Sequence, residues 1–329
     1  TDVNKDGWQD IYVSNDFFEK DYLYINNKNG TFTESLENCI RELSMNSMGA
    51  DIADINNDGY PDIYVTDMLP ETEARVKTKT NFENWDKYQS NIKNGYYHQF
   101  VRNVLQLNQG PANSTDNKAG EINFSEIGRL AGVQATDWSW GALITDLNND
   151  GFKDIFIANG IYKDLTNEDY IQYISNYEVM NGIMTSKEKD KSAYKKLIDL
   201  MPSNALSNYA YSNNGNLTFT NKAKEWGLDQ PGFSNGSAYA DLDNDGDLDL
   251  VVNNENQPAF VYRNNSREQT KNNYIGISLK GKGKNTFAVG SKIKVYKGGE
   301  VFMREVMPSR GFQSCVDYKQ IIGLGLHAS

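Results

Sequence analysis

Apolar residues in this chain come in short β-branched or aromatic runs, each set directly behind a loop rich in Asp, Asn and Gly. Ile11-Tyr12-Val13, Ile63-Tyr64-Val65, Ile155-Phe156-Ile157 and Leu250-Val251-Val252 all follow an aspartate. Runs of this length and composition, bounded by turn formers, predict strands. A second set trails the first: Leu23-Tyr24-Ile25-Asn26-Asn27 with Gly30 and Phe32, Leu105-Gln106-Leu107-Asn108 with Gly110, Tyr211-Ser212-Asn213-Asn214 with Gly215 and Phe219, and Val261-Tyr262-Arg263-Asn264-Asn265. These read as strand, Asn/Gly turn, strand. Ahead of the last three loops stand Gly49-Ala50, Gly141-Ala142 and Gly236-Ser237, small residues that suggest a strand packed tightly against a neighbour. The repeating unit is a small antiparallel sheet.

Self-similarity on this scale points to a propeller or a solenoid. The loops open at Asp2, Asp54, Asp146 and Asp241; the first interval fits one bare unit, and the next two carry extra segments of roughly 40 residues. The first insertion, about 69–100, is polar, with a helix expected around Phe82 to Ile92. The second, about 160–206, reads helical. Thr166 with Asp169 resembles a capping box, Tyr170, Ile174 and Tyr177 share one face, and Tyr194, Leu197, Ile198 and Met201 form another stripe. Long insertions concentrate on functional faces. Tyr96, Tyr97, Tyr170, Tyr173 and Tyr177 are therefore expected to form one composite partner-binding surface, the competing reading being that the stripes only cap the sheets.

The loops themselves carry the chemistry. Each spells D-x-[DN]-x-D-G-x-x-D: Asp2, Asn4, Asp6, Gly7, Asp10; Asp54, Asn56, Asp58, Gly59, Asp62; Asp146, Asn148, Asp150, Gly151, Asp154; and Asp241, Asp243, Asp245, Gly246, Asp249. Ca²⁺ takes six to eight oxygens, which side chains at positions 1, 3, 5 and 9 and the main-chain carbonyl at position 7 can supply. The position-7 residues are Trp8, Tyr60, Phe152 and Asp247, and the Asp247 side chain is expected to face solvent. One such phrase alone is also an ordinary Asx-rich turn. Four copies, each feeding a strand, predict about four Ca²⁺ sites.

The unit G-A-x-x-x-D-x-N-x-D-G-x-x-D-I-x-V, with the later L-Y-x-N-N-x-G-x-F, resembles the FG-GAP/VCBS repeat of integrin-α-type β-propellers. Asn285, Gly290-Ser291-Lys292-Ile293, Arg304-Glu305-Val306, Arg310-Gly311-Phe312-Gln313-Ser314 and Ile322-Gly323-Leu324-Gly325 are similar to the ASPIC/UnbV domain that follows such propellers in cartilage-acidic-protein-like chains. The resemblance implies an all-β fold: propeller blades over 1–268, interrupted by the two helical insertions and forming a partial ring, then a small C-terminal β domain over 272–329. The first loop opens without the strand that should enter its blade, so that blade's edge is expected to pair with a segment ahead of Thr1.

Composition narrows the function. Net charge is −11, from 33 basic and 44 acidic residues, which argues against nucleic acid; four divalent cations would cancel most of it. No stretch reaches the eighteen or so apolar residues of a membrane span. Cys39 and Cys315 are expected to be separate buried thiols. Asn113-Ser114-Thr115 and Asn235-Gly236-Ser237 match glycosylation acceptors, which an Asn-rich chain offers by chance. His98 and His327 sit in no cluster of metal-ligand spacing, and no catalytic residue stands out. Trp138 and Trp140 are expected on opposite sides of one strand as packing residues, with sugar stacking the competing reading.

The leading expectation is a non-enzymatic, calcium-stabilised scaffold or binding module. The resemblance extends to propeller proteins of the Bacteroidota outer membrane, which implies an extracellular or outer-membrane surface location, a lipoprotein anchor ahead of Thr1, and protein partners such as SusC/SusD-type components. Two alternatives stay open: a glycan-degrading enzyme or its accessory, with catalytic groups ahead of Thr1 or in the insertions, and an adhesin.

Overall fold

The computed structural model describes residues 1–79, 84–111, 122–185 and 191–326. Phe82, Asn113-Ser114-Thr115 and His327 lie outside the described residues, as does the Tyr194 side chain. Four antiparallel sheets follow one another along the chain. The first holds β1 (Ile11–Val13), β2 (Tyr22–Asn26) and β3 (Phe32–Glu34). A short β4 (Leu43–Ser44) leads to the second, β5 (Ala50–Ala53), β6 (Asp62–Val65), β8 (Val104–Pro111) and β9 (Ile122–Glu126), while β7 (Gln99–Phe100) pairs in parallel with β4. The third is β10 (Ser139–Thr145), β11 (Asp154–Asn159), β12 (Tyr209–Asn213) and β13 (Phe219–Asn221); the fourth is β14 (Ser234–Ala240), β15 (Asp249–Asn254) and β16 (Phe260–Tyr262). Strand order equals chain order in every sheet, the layout of successive all-β blades.

The core lies between successive sheets, so the second strands bury both faces. Ile63 and Val65 pack with Leu23 and Leu36 of the first unit, whereas Tyr64 packs with Ile144 and Ile155 of the third. Phe156 points the other way, to Leu250 and Val252. Successive strand residues face opposite sides, and a strand covered on both is apolar throughout, hence the unbroken runs. Each such fully buried side chain contributes roughly 1.5–3 kcal/mol.

Asparagines at the ends of the following strands tie one unit to the last. Asn108 Nδ2 donates to the Val3 carbonyl at 2.9 Å, Asn213 Nδ2 to Ile55 at 2.9 Å, and Asn264 Nδ2 to Leu147 at 2.7 Å. Each acceptor lies in the loop of the preceding sheet. These residues read as turn formers in the sequence; they are also inter-sheet staples.

The tail forms two separate antiparallel pairs, β17 (Asn273–Ile277) with β20 (Gln320–Gly325) and the hairpin β18 (Lys292–Lys297) with β19 (Glu300–Glu305). Between β19 and β20 the chain crosses the opening strands of the sheets: Gly311 bridges Ala50, the Phe312 ring lies 5.2 Å from Trp140, and Asp317 N–H donates to the Tyr239 carbonyl at 3.4 Å. A Cβ on Gly141 would stand 3.1 Å from Phe312 Cβ, and one on Gly236 2.9 Å from Ser314 Oγ. The neighbour that requires these small residues is the tail. Gly49 instead meets the Trp140 carbonyl of the third sheet.

Several expectations change. The first insertion holds two helices, Glu73–Thr78 and Trp85–Lys93. In the second, Asn167 is the N-cap, accepting from Tyr170 N–H, because Thr166 is already bonded to Asp164. Asn176 breaks the stripe, so Tyr177 starts a new helix, Tyr177–Thr185, ahead of Lys191–Leu200. Trp138 and Trp140 are neighbours, 5.9 Å between rings, since residues two apart share a strand face. Cys39 is buried but Cys315 is exposed, and neither forms a disulfide. Among the described residues no helix is long and apolar enough to cross a membrane.

Asn213→Ala should destabilise the chain by about 1–3 kcal/mol, because it orphans the buried carbonyls of Ile55 and Lys153. Chemical denaturation checks it; an unchanged midpoint would mean that the staple carries no energy.

Candidate metal centre

Each acidic loop closes by the same backbone logic. Gly at position 6 has φ of +92°, +85°, +99° and +95° in the four loops, and position 4 is left-handed as well: Lys5, Asn57, Asn149 and Asn244. Only Gly adopts the first conformation without strain, and Asn tolerates the second. The turn brings backbone N–H groups onto the side chains. Gly7, Gly59 and Gly151 donate to Asp2, Asp54 and Asp146 at 2.8–3.0 Å, and Gly246 to Asp241 at 3.3 Å. Position-5 carboxylates of Asp6, Asp58, Asp150 and Asp245 accept from position 7, that is Trp8, Tyr60, Phe152 and Asp247. Position-3 oxygens of Asn4, Asn56, Asn148 and Asp243 accept from position 5.

Position 9 has a second duty. Asp10 accepts from Val3 and Asn26, Asp62 from Ile55 and Asn108, Asp154 from Leu147 and Asn213, and Asp249 from Leu242 and Asn264, all at 2.8–3.0 Å. The closing carboxylate thus brackets its loop to the strand that carries the stapling Asn. Each oxygen keeps a further lone pair for a cation.

Several carboxyls of the first three loops resist ionisation in the fold. Burial, then the charge of Asp150, pushes the Asp146 carboxyl up to about 7, and its Oδ1 is buried with no partner. Burial drives Asp62 and Asp154 well above the usual carboxylate range and raises Asp10, Asp54 and Asp150. In the fourth loop Asp241, Asp243 and Asp245 bring one oxygen each within 4.8 Å of one another. The donors are hard oxygens on short side chains, the set that suits Ca²⁺. The first three loops carry Asn at position 3, so they gather less charge in the same geometry.

The loops touch each other and the tail. Asn57 Nδ2 donates to the Gly151 carbonyl and Asn149 Nδ2 to Gly246, at 3.1 and 3.0 Å, so position 4 of one loop grips position 6 of the next. Lys5 caps the Tyr60 ring at 3.7 Å. From the tail, Lys292 pairs with Asp2, Lys319 with Asp241 at 2.7 Å, and Gly323 packs on Asp146 where a Cβ would collide. Arg263 pairs with Asp243 and Asp245 at 2.7 and 3.3 Å. Sequence reading missed these basic partners, because nothing in their spacing marks them.

Asp247 corrects one expectation. Its side chain is 0 % exposed, not solvent-facing, and Oδ2 accepts from Ser266 Oγ and Arg267 N–H at 3.2 and 3.1 Å. The turn points it at the start of the short helix Ser266–Thr270.

The tyrosines do not form one composite face. Tyr97 donates to the Ile40 carbonyl at 2.9 Å and Tyr96 lies 6.2 Å from Phe18, both against the first unit. Tyr170 is buried, its hydroxyl on Leu197 O at 3.2 Å, while Tyr173 and Tyr177 are exposed. The insertions meet instead through Arg75, which chelates Asp137 at 2.8 and 3.1 Å and reaches the buried Asp164 at 3.2 Å.

An FG-GAP-like repeat family matches residues 2–65 and 197–252, and the ASPIC and UnbV family matches 281–329. The third loop lies between the matched segments yet repeats their bonds. No curated protein matches the chain.

The pH dependence follows with a definite sign. Carboxyls raised in the folded state hold protons there that the unfolded chain, titrating near 4, has already lost. Metal-free stability should therefore fall as pH rises from about 4 through 7. Lys153, pushed down to about 7 by burial and then by Arg304, works the opposite way only above that value. Melting of calcium-depleted protein should be higher at about pH 5 than at about pH 7, and saturating calcium should reverse the order. An unchanged order with calcium would contradict metal binding at these carboxylates.

Proposed function

We propose that this chain, an FG-GAP-like repeat protein ending in an ASPIC and UnbV segment, is a non-enzymatic calcium-binding scaffold that works outside the cytoplasm and docks a protein partner of an outer-membrane assembly. The observation that carries the calcium part is the repeated loop with a partnerless buried oxygen, Asp146 Oδ1, among carboxyls that resist ionising alone. Asp2, Asn4, Asp6 and Asp10 and their counterparts would hold the ion, with the carbonyls of Trp8, Tyr60, Phe152 and Asp247. The ion supplies positive charge and fixed geometry. Weak all-oxygen sites suit compartments where calcium is plentiful.

The non-enzymatic reading rests on how the candidate groups are used. The carboxylates are engaged in loop closure, and His98 Nδ1 is bonded to Tyr88 Oη at 2.6 Å. Partner docking falls to the second insertion, where Tyr177, Met184, Ile198 and Leu200 are 79, 60, 50 and 48 % exposed. Glycan capture is a second reading, favoured by Trp85, which stacks on Tyr88, itself stacked on Phe100.

Calorimetric titration should show calcium uptake that stabilises the fold by about 2.7 kcal/mol per site at a hundredfold excess over its dissociation constant, read also as a higher melting temperature. Asp245→Ala should remove one site; heats identical to wild type would refute the assignment. In pull-down from outer membranes, Tyr177→Ala with Ile198→Asp should lose the partner while calcium-dependent melting persists, and Trp85→Ala should not. Loss with Trp85→Ala alone would favour the glycan reading.

A further inference from the structure

Helix Trp85–Lys93 of the first insertion is capped by Asn84, whose Oδ1 accepts from Lys87 N–H at 2.8 Å. Residues three apart on a helix are neighbours, so its first turn sets Trp85 and Tyr88 side by side. Their rings are near-parallel, 27° between planes and 5.7 Å between centroids, and Tyr88 repeats this on Phe100 of β7 at 24° and 5.5 Å. The spacing is that of offset stacking, so part of each face stays uncovered, as in a stair. His98 Nδ1 holds the Tyr88 hydroxyl at 2.6 Å. Arg102, 4.9 Å from the Phe100 centroid and paired with Glu42 and Glu126, closes the inner end. The outer end is Trp85, 70 % exposed.

Against these rings lies a cavity of about 380 Å³, inside the range of about 300–1,000 Å³ usual for small-molecule sites. Burial orders its depth. Met45 and Gln99, 4 and 3 % exposed, form the floor, half-buried Tyr88 and Phe100 the wall, and exposed Asn84 and Trp85 the mouth. The floor holds one unmet demand. Gln99 Nε2 donates to the Phe18 carbonyl at 3.3 Å, while Oε1 of the same amide is buried with no partner. A buried acceptor left so is costly unless a ligand donates to it. Among the described residues the one charged side chain of the lining is Lys87, whose ammonium sits 4.9 Å over the Phe18 ring. An ionised ligand would lose hydration at that floor without compensation. The slot therefore selects for an apolar face, a hydrogen-bond donor at the deep end and no charge.

We infer that this slot binds one ring of a neutral pyranose glycan, a C–H face laid on the aromatic stair and a hydroxyl donating to Gln99 Oε1. The inference rests on the glycan reading of Trp85 and adds to it the buried acceptor and the charge of the ligand. A pyranose carries apolar C–H groups on its faces and hydroxyls around its edge, so one ring meets both demands of the slot. Its outer hydroxyls meet the Asn84 amide and water at the mouth. A partner's tyrosine side chain also offers a flat ring and one hydroxyl, but it leaves the polar mouth unanswered.

Saturation-transfer NMR and calorimetry on the full chain test this. The probes are methyl glycosides and short oligomers of glucose, galactose, mannose and N-acetylglucosamine, with methyl glucuronide and N-acetyltyrosinamide as controls. At least one neutral sugar should bind, its ring C–H protons saturated most strongly, and the glucuronide should bind at least about tenfold more weakly than the matching glucoside. Trp85→Ala alters an exposed position, so the fold should persist while affinity falls at least about tenfold. Gln99→Leu keeps the bulk, removes the acceptor and should cost as much. A series of deoxy sugars on the unaltered chain reads the same bond without a variant: loss of one particular hydroxyl should cost about tenfold. Binding by none of the neutral sugars would overturn the proposal and the glycan reading together. Binding that falls with Trp85→Ala but ignores both Gln99→Leu and every deoxy substitution would keep the glycan reading and overturn the slot. Tighter binding of N-acetyltyrosinamide than of any sugar would assign the slot to a peptide side chain and overturn it as well.

Discussion

Every blade depends on one carboxylate, the aspartate that ends its acidic loop. It accepts two backbone N–H groups, one from the start of its own loop and one from the asparagine that ends the strand two places on. The first bond shuts the loop. The second sets where that asparagine sits, and the asparagine's amide then reaches the preceding loop. Loop closure, sheet register and sheet-to-sheet spacing thus share a single group. In the second and third blades burial holds that group, Asp62 and Asp154, well above the usual carboxylate range, which is the cost of using a charge as a structural pin. A divalent cation bound by the same loop relieves the cost, because it favours the ionised form that the backbone bonds also favour.

This arrangement explains why so much of the fold could be read from sequence. The acidic loop demands Gly at position 6 and Asp at position 9 for stereochemical reasons, and the strand behind it demands apolar residues at every position because both faces are covered. Such demands act within about a dozen residues, so they repeat as a phrase. The all-β architecture, the loop residues and the later Asn followed from that phrase. The staple role of the Asn did not, because a turn former and a staple are the same residue type in sequence.

What spacing hides is contact between distant segments. Asp247 is expected in solvent because at its loop position the main chain, not the side chain, is the ligand; the helix at Ser266, nineteen positions on, buries it. The tyrosines were grouped because they recur in both insertions, yet Tyr96 and Tyr97 are drawn to the first unit by Phe18 and Ile40. The contacts seen between the insertions, Arg75 with Asp164 and the bridge of Lys79 to Asn167, join residues that no periodicity connects. Similarly, Gly141 and Gly236 announce a close approach without naming what approaches.

The tail brings buried positive charge to a region crowded with carboxylates. Arg310 pairs with Asp51 at 2.8 Å, an aspartate that also accepts from Ile144 N–H of the next sheet at 2.6 Å, so tail docking and the contact between the second and third sheets are coupled through one side chain. Lys292 and Lys319 bind the first-position aspartates of the first and fourth loops, which the proposed cation sites would also use. A cation in the loop and an ammonium from the tail draw on the same negative charge, and each weakens the other's hold electrostatically. If the loops hold calcium as proposed, its loading and tail attachment would be linked at the two outer loops. At the third loop Gly323 meets the carboxylate with backbone, and the tail's Arg304 acts on Asp146 electrostatically, favouring its ionised form.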